Sequence, residues 1–240
     1  MPAPALGRGG EINYVWPLPS NPLQPIRTPQ SMPFKATALV LALLASTGVL
    51  AQSLSIDGCN IRRGTFCVNM NLAGADLAGA RLSNSQFSRS DLSGANLTGA
   101  NLDETTITGT RFNGARMAEV SLKRVNARGA EFVETQLNGA NFEAATLQNV
   151  DFSSANLEGA KLANANLSNA RLGRATLDGA DLTRANFRAA DMREVTMRGA
   201  NLSGTNFTRA DLRGADLRDA KNVAQANFFS AQTEGCIGCP

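Results

Sequence analysis

From Met70 to Asp219 an apolar side chain recurs at every fifth residue, thirty times without an insertion. The residue at the centre of each pentad is Leu eighteen times, Phe seven times and Met three times, with Ile107 and Ala127 completing the set. Two residues earlier stand nineteen Ala, four Thr, four Val, Met70, Ser85 and Ser90. Segments such as Ala95-Asn96-Leu97-Thr98-Gly99 and Ala180-Asp181-Leu182-Thr183-Arg184 show the unit. A period of five suits neither regular element. In a helix, successive central residues would drift by about 140° around the axis. In a flat strand, an odd period sends alternate central residues to opposite faces. The chain must therefore turn once per pentad, running extended with the central residue and the small residue before it pointing inward, then rounding a corner. Gly ends thirteen of the thirty pentads and supplies backbone freedom there, while Asn or Asp before the centre suits turn hydrogen bonding.

Four such sides close a square coil of about 20 residues, and coils stacked at the inter-strand spacing of about 4.8 Å pair their backbones above and below. Every fourth pentad then shares a side. Phe112, Phe132 and Phe152 become consecutive rungs that should stack directly. Ala127 falls between Ile107 and Leu147, where a small residue leaves a hole. The larger Val120 and Val125 nearby read as volume compensation in preference to a ligand cavity.

The unit Ala-Asp/Asn-Leu-x-x resembles the pentapeptide-repeat family, and the resemblance runs unbroken over residues 70–219. It implies an all-β fold, a right-handed quadrilateral β-solenoid of about seven and a half coils and very roughly 36 Å of rod. It also implies one sharp functional precedent. Some cytoplasmic members present acidic side chains along the rod, resemble duplex DNA and bind type II topoisomerases, conferring quinolone resistance.

Outside the repeat the composition shifts twice. Eight of the nine prolines and the only Tyr and Trp, Tyr14 and Trp16, lie in residues 1–33. After Met32 comes Lys35, then an apolar run from Ala36 to Ala45 and the sequence Val49-Leu50-Ala51. This reads as a secretory signal peptide over 32–51, cleaved after Ala51. A transmembrane anchor is the rival reading, but Ser46, Thr47 and Gly48 interrupt a run far short of the roughly 20 apolar residues a bilayer span needs. A leader is read from the N-terminus, so residues 1–31 read as a disordered Pro-rich extension or a misassigned start. Removing residues 1–51 takes away Arg8, Arg27, Lys35 and Glu11 and leaves 20 basic against 19 acidic side chains. The expected product is periplasmic or secreted, has no membrane span, and is nearly neutral.

Cys59 and Cys67 fall in an N-terminal cap at 52–69, and Cys236 and Cys239 in a C-terminal cap at 220–240. Bridges along the length of the rod exceed the reach of about 7 Å between cysteine Cα atoms, so the expected pairs are Cys59 with Cys67 and Cys236 with Cys239, in an oxidising compartment. A redox pair or half a metal site are the rival readings of Cys236-Ile-Gly-Cys239. Just after Asp219 the register slips by one, placing Val223 and Phe228 where 222 and 227 were due, and the regular coil is expected to end there. Capping limits end-to-end association, although an end-to-end dimer stays open.

Chemistry is sparse. The chain has no His, removing the commonest general base and metal ligand. Ser and Thr sit at turn or outward positions with no base beside them, carboxylates fall mainly where the repeat already explains them, and the glycines follow the period of five and no nucleotide fingerprint. No catalytic, metal or cofactor site is expected. A near-neutral rod with an export leader also departs from DNA mimicry, and nucleic acid is not an expected partner. One asymmetry remains. The side carrying Phe87, Ile107, Ala127, Leu147, Leu167, Phe187 and Phe207 bears Arg89, Arg128, Arg188 and Arg209 and no acidic residue, while the other sides are mixed. Four Arg on one side suit a merely solvated surface or a docking strip for an anionic partner, either a cell-envelope polysaccharide or an acidic protein. The expected function is a non-enzymatic, exported interaction or structural scaffold. The alternative is a topoisomerase-binding DNA mimic.

Overall fold

One small hydrogen-bonded unit generates the whole architecture. In every pentad but that of Leu82 the carbonyl of the central residue accepts the N–H three residues on, as between Leu72 and Ala75 (3.1 Å) and between Leu97 and Ala100 (3.0 Å). The last residue of every one of the thirty pentads lies at positive φ, and only thirteen of them are Gly. The Asx residue before the centre braces this turn: Asn71 Oδ1 accepts the Ala73 N–H at 3.2 Å, and Asp151 Oδ1 accepts the Ser153 N–H at 2.9 Å. Asn and Asp are placed there by this side-chain turn and not by charge.

The computed structural model describes residues 55–240, which fall within one compact unit, Val49–Pro240. The readings of residues 1–31 and of a leader cleaved after Ala51 lie outside the described residues. The residue before each centre pairs in parallel with its counterpart one coil on, from Phe66 with Gln86, Asn71 with Asp91 and so on to Asn201 with Lys221, a separation of 20 residues or four pentads. Asp91 N donates to Met70 O at 2.9 Å and Leu72 N to Asp91 O at 2.7 Å, so each coil meets the backbone hydrogen-bonding needs of the next.

We number the four sides by their inward columns: first, Leu72 to Leu212; second, Leu77 to Leu217; third, Leu82 to Leu202; fourth, Phe87 to Phe207. All thirty central side chains are buried. Phe112, Phe132 and Phe152 stack at centroid distances of 4.9 and 5.0 Å, and Phe142 of the third side packs edge-on against Phe132 and Phe152. Ala127 is fully buried, as are Val120 and Val125. Where the small inward residue is Thr its hydroxyl also finds a partner: Thr105, Thr110, Thr135 and Thr205 donate to the carbonyls of Leu82, Phe87, Phe112 and Leu182 at 2.7–3.0 Å. Thr therefore replaces Ala in the core without an unsatisfied group.

Both ends depart from the sequence reading. The coil begins before Met70, since Gly64 N donates to Ser83 O (3.0 Å) and Cys67 N to Gln86 O (2.8 Å). Cys67 takes the central position below Phe87 on the fourth side, a core role that a Leu or Phe pattern does not reveal. Ahead of it, β1 (Ser55–Ile56) and β2 (Cys59–Asn60) form an antiparallel hairpin. Its turn residues Asp57 and Gly58 both have positive φ, the Asp-Gly hairpin signature. At the far end the solenoid does not stop after Asp219. A 3-10 turn over Val223–Gln225 absorbs one extra residue, and pairing resumes at a separation of 21 with Asn206–Asn227, Asp211–Gln232 and Asp216–Ile237. Phe228 stacks on Phe207 at 5.1 Å, so the packing of one more, partly buried aromatic draws the shifted segment back onto the column.

Candidate functional site

Because the core consumes the centre and the residue two before it, only three residues per pentad reach the surface, and each side is a ladder of such triplets. Charge is distributed unevenly among the four ladders. On the first side carboxylates and guanidinium groups neutralise each other between and within coils: Asp91 with Arg111, Asp151 with Arg171, Glu194 with Arg174, and Asp211 with Arg213 and Arg193. Asp191 holds Arg193 at 2.6 Å, and on the second side Asp216 holds Arg218 at the same distance. The second side also pairs Asp178 with Arg198, and the third pairs Glu104 with Arg124. The Arg111 guanidinium, with the Ser93 hydroxyl, holds the Asp91 carboxyl down at about 2, and Arg218 does the same for Asp216. These acids are structural partners for arginine and stay ionised.

The fourth side is different. Among the described residues it carries no ion pair, and its pentads from 65–69 to 226–230 contain no Asp or Glu. Arg89, Arg128, Arg188 and Arg209 are all exposed on it. Arg128 Nη2 donates to Gln148 Oε1 one coil on at 3.1 Å, and the Arg89 side chain lies over Gly109, where an added Cβ would sit 3.7 Å from its Cγ. Both side chains thus run along the solenoid axis. Between the arginines the outward ladder is neutral: Gln86, Thr106, Asn126, Thr146, Asn166, Asn186, Asn206 and Asn227. Asn206 Nδ2 donates to Asn186 Oδ1 and Asn186 Nδ2 to Asn166 Oδ1, each at 3.2 Å, a chain of amides along the axis. Exposed aromatics stand at its two ends, Phe66 at 74% and Phe229 at 70% exposure. Sequence reasoning singled out the arginines but not these two phenyl rings, because neither occupies a central position of the regular repeat.

The cysteines lie at the ends. The structure joins Cys59 to Cys67, both buried, with Cα atoms 5.4 Å apart, and Cys236 to Cys239 with Cα atoms 5.8 Å apart. Between the second pair, Gly238 sits on the Leu217 backbone: a Cβ there would meet Leu217 C and O at 3.0 Å. A shallow hollow of roughly 350 Å³ on the first side is lined by Arg171, Arg174, Asp191, Arg193 and Glu194, every one engaged in the ion pairs above. Among the described residues no helix is long and apolar enough to cross a membrane.

Comparison with known proteins bears on the fold. Residues 71–109 and 180–219 match the profile described as Pentapeptide repeats (8 copies), and residues 105–182 that of the Pentapeptide repeat region. The chain is similar to the solved structure of HetL, a pentapeptide repeat protein involved in heterocyst differentiation regulation in the cyanobacterium Nostoc sp. strain PCC 7120, at 31% identity over 72% of this chain and 87% of that one, with a TM-score of 0.60. It is also similar in fold to QnrB1, a plasmid-mediated fluoroquinolone resistance protein, at 22% identity over 71% of this chain and 90% of that one, with a TM-score of 0.59. A sequence search of curated proteins finds no match. The pentad, the four-pentad coil and these likenesses together establish that the chain belongs to the pentapeptide-repeat family and folds as a right-handed β-solenoid.

Proposed function

We propose that this protein is a non-enzymatic binding scaffold, exported to the periplasm or beyond, whose fourth side docks an anionic partner. The observation that carries the reading is the contrast between sides. All five arginines of the first side, and Arg198 and Arg218 of the second, are held in ion pairs, whereas Arg89, Arg128, Arg188 and Arg209 face solvent on a side with no acid at all. A strip of one sign with no internal counter-charge attracts the opposite sign from outside.

The alternative, a topoisomerase-binding DNA mimic, requires an acidic rod, and here Asp91, Asp151, Asp178, Asp191, Asp211 and Asp216 are each neutralised by arginine. A mature N-terminus at Gln52 in a periplasmic fraction supports the exported scaffold and excludes the mimic.

The docking reading is tested by cell fractionation of the variant R89N/R128S/R188S/R209N. Asn is chosen at 89 and 209 because both residues are left-handed, a conformation Asn tolerates. The variant should lose association with the envelope fraction while keeping its melting temperature. Unchanged fractionation overturns the reading.

A further inference from the structure

Resting on the reading of the fourth side as the working surface, we infer that its partner is a linear, sparsely acidic polysaccharide lying along the solenoid axis. The ladder from Phe66 to Asn227 runs through eight coil-to-coil pairings without interruption. At about 4.8 Å per coil it presents a track of about 38 Å. Its chemistry is mostly uncharged. Amides and hydroxyls, donor and acceptor at once, recur at every coil from Gln86 to Asn227. That matches a polymer whose own surface is mostly hydroxyl.

Charge spacing separates this partner from the other polyanions. Arg89, Arg128, Arg188 and Arg209 belong to coils two, three and one steps apart. They therefore spread four charges over about 29 Å, against one negative charge per roughly 1.7 Å in duplex DNA. A single-stranded nucleic acid would call for aromatics interleaved with the cations. Here Phe66 and Phe229 stand only at the two ends. Exposed phenyl faces at the ends of a hydrogen-bonding track suit the apolar face of a sugar ring, and the planar guanidinium suits a carboxylate on an occasional residue. Because the Arg89 and Arg128 side chains run along the axis, the polymer runs with them.

The test is titration of the purified protein with oligogalacturonates of increasing length in which most carboxyl groups are methyl-esterified, so that charge is sparse, with dextran and duplex DNA alongside. Oligogalacturonate should bind, more tightly as its length grows until it spans the face, and dextran and DNA should bind weakly or not at all. R89N/R128S/R188S/R209N should weaken the long oligomer by about tenfold or more. The charge-matched variant R81S/R116S/K161S/K221S, altered on the second and third sides, should bind normally. F66A and F229A should each weaken the long oligomer and leave the shortest unaffected. Failure of oligogalacturonate to bind, tighter binding of DNA, or equal loss in both charge variants overturns the inference. If the polymer fails to bind but the four-Arg variant still loses envelope association, the partner class is wrong and the docking side stands. Unchanged fractionation removes the docking side itself.

Discussion

At the last position of the pentad, seventeen residues other than Gly hold a left-handed backbone, Ala144 at φ 55° and Ala189 at φ 54° among them. Alanine has no side-chain hydrogen bond to offset the clash of Cβ with the following carbonyl. Ala144→Gly should therefore raise stability by about 0.5–1 kcal/mol, the relief of strain exceeding the added chain entropy. Gly99→Ala, where an added Cβ meets nothing within 4 Å, isolates the strain and should cost about 1 kcal/mol. Denaturant midpoints check both, and equal midpoints for Gly99→Ala and the parent would refute the strain. The need for this conformation was legible only where Gly occupied it. Arg89, Glu104 and Arg124 meet it because the ladders above and below hold the turn, which no local propensity reveals. The ion pairs are a residue-scale matter too. Asp91 and Asp216 sit near 2 in the folded chain, below the ordinary carboxylate, so folding favours their charged forms. The stability they contribute is complete above about pH 4 and is lost as pH falls toward about 2, and solvent screening keeps it modest. The double variant D91N/D216N should make the fall in melting temperature between those limits shallower, the likewise lowered Asp151, Asp178, Asp191 and Asp211 supplying the remainder. A slope identical to that of the parent would show that the pairs contribute nothing.

Within a coil, volume is shared between neighbouring inward positions. Ala127 lies between Ile107 and Leu147 on the fourth column, and Val125 precedes it in the same pentad, all fully buried. If Val125 fills the space that a Leu at 127 would take, Ala127→Leu alone should destabilise by about 1–3 kcal/mol, and V125A/A127L should recover most of the loss. Additive losses in calorimetry would disprove the sharing. The stacking of Phe112, Phe132 and Phe152 followed from spacing alone, because a repeat of four pentads places every twentieth residue on one column. The last coil was less legible. Its extra residue broke the count after Asp219, yet the stacking of Phe228 on Phe207 and the fit of Gly238 on Leu217 restore the stack. Gly238→Ala should lift this coil, because the carbonyl and carbonyl carbon of Leu217 are backbone and cannot give way. The expected sign is faster hydrogen exchange at the Ile237 amide, which donates to Ala215 O at 2.9 Å; an unchanged rate would mean that the coil is held by other contacts.

Across the whole solenoid each coil touches only its neighbours, so stability is a sum of coil-on-coil terms and loss begins at the ends. The two disulfides stand at those ends. Reduction should release the first turn at a local cost of about 2–3 kcal/mol, and free the last coil, while the Phe132 amide, bonded to Asp151 O at 2.7 Å, keeps its protection. Loss of protection at Phe132 in step with the ends would mean that the molecule melts as one unit instead. The repeat by itself determined the pentad, the inward columns, the stacked aromatics and the acid-free side, because a strict period leaves one way to bury every fifth residue. Only the tertiary structure decided where the solenoid begins and ends, how the sides differ in ion pairing, and that Phe66 and Phe229 flank the fourth side. Those outcomes depend on contacts between residues about a coil apart or more, on a cysteine in a core position and on a glycine pressed against the backbone of the coil before it, which a pattern of apolar residues does not register.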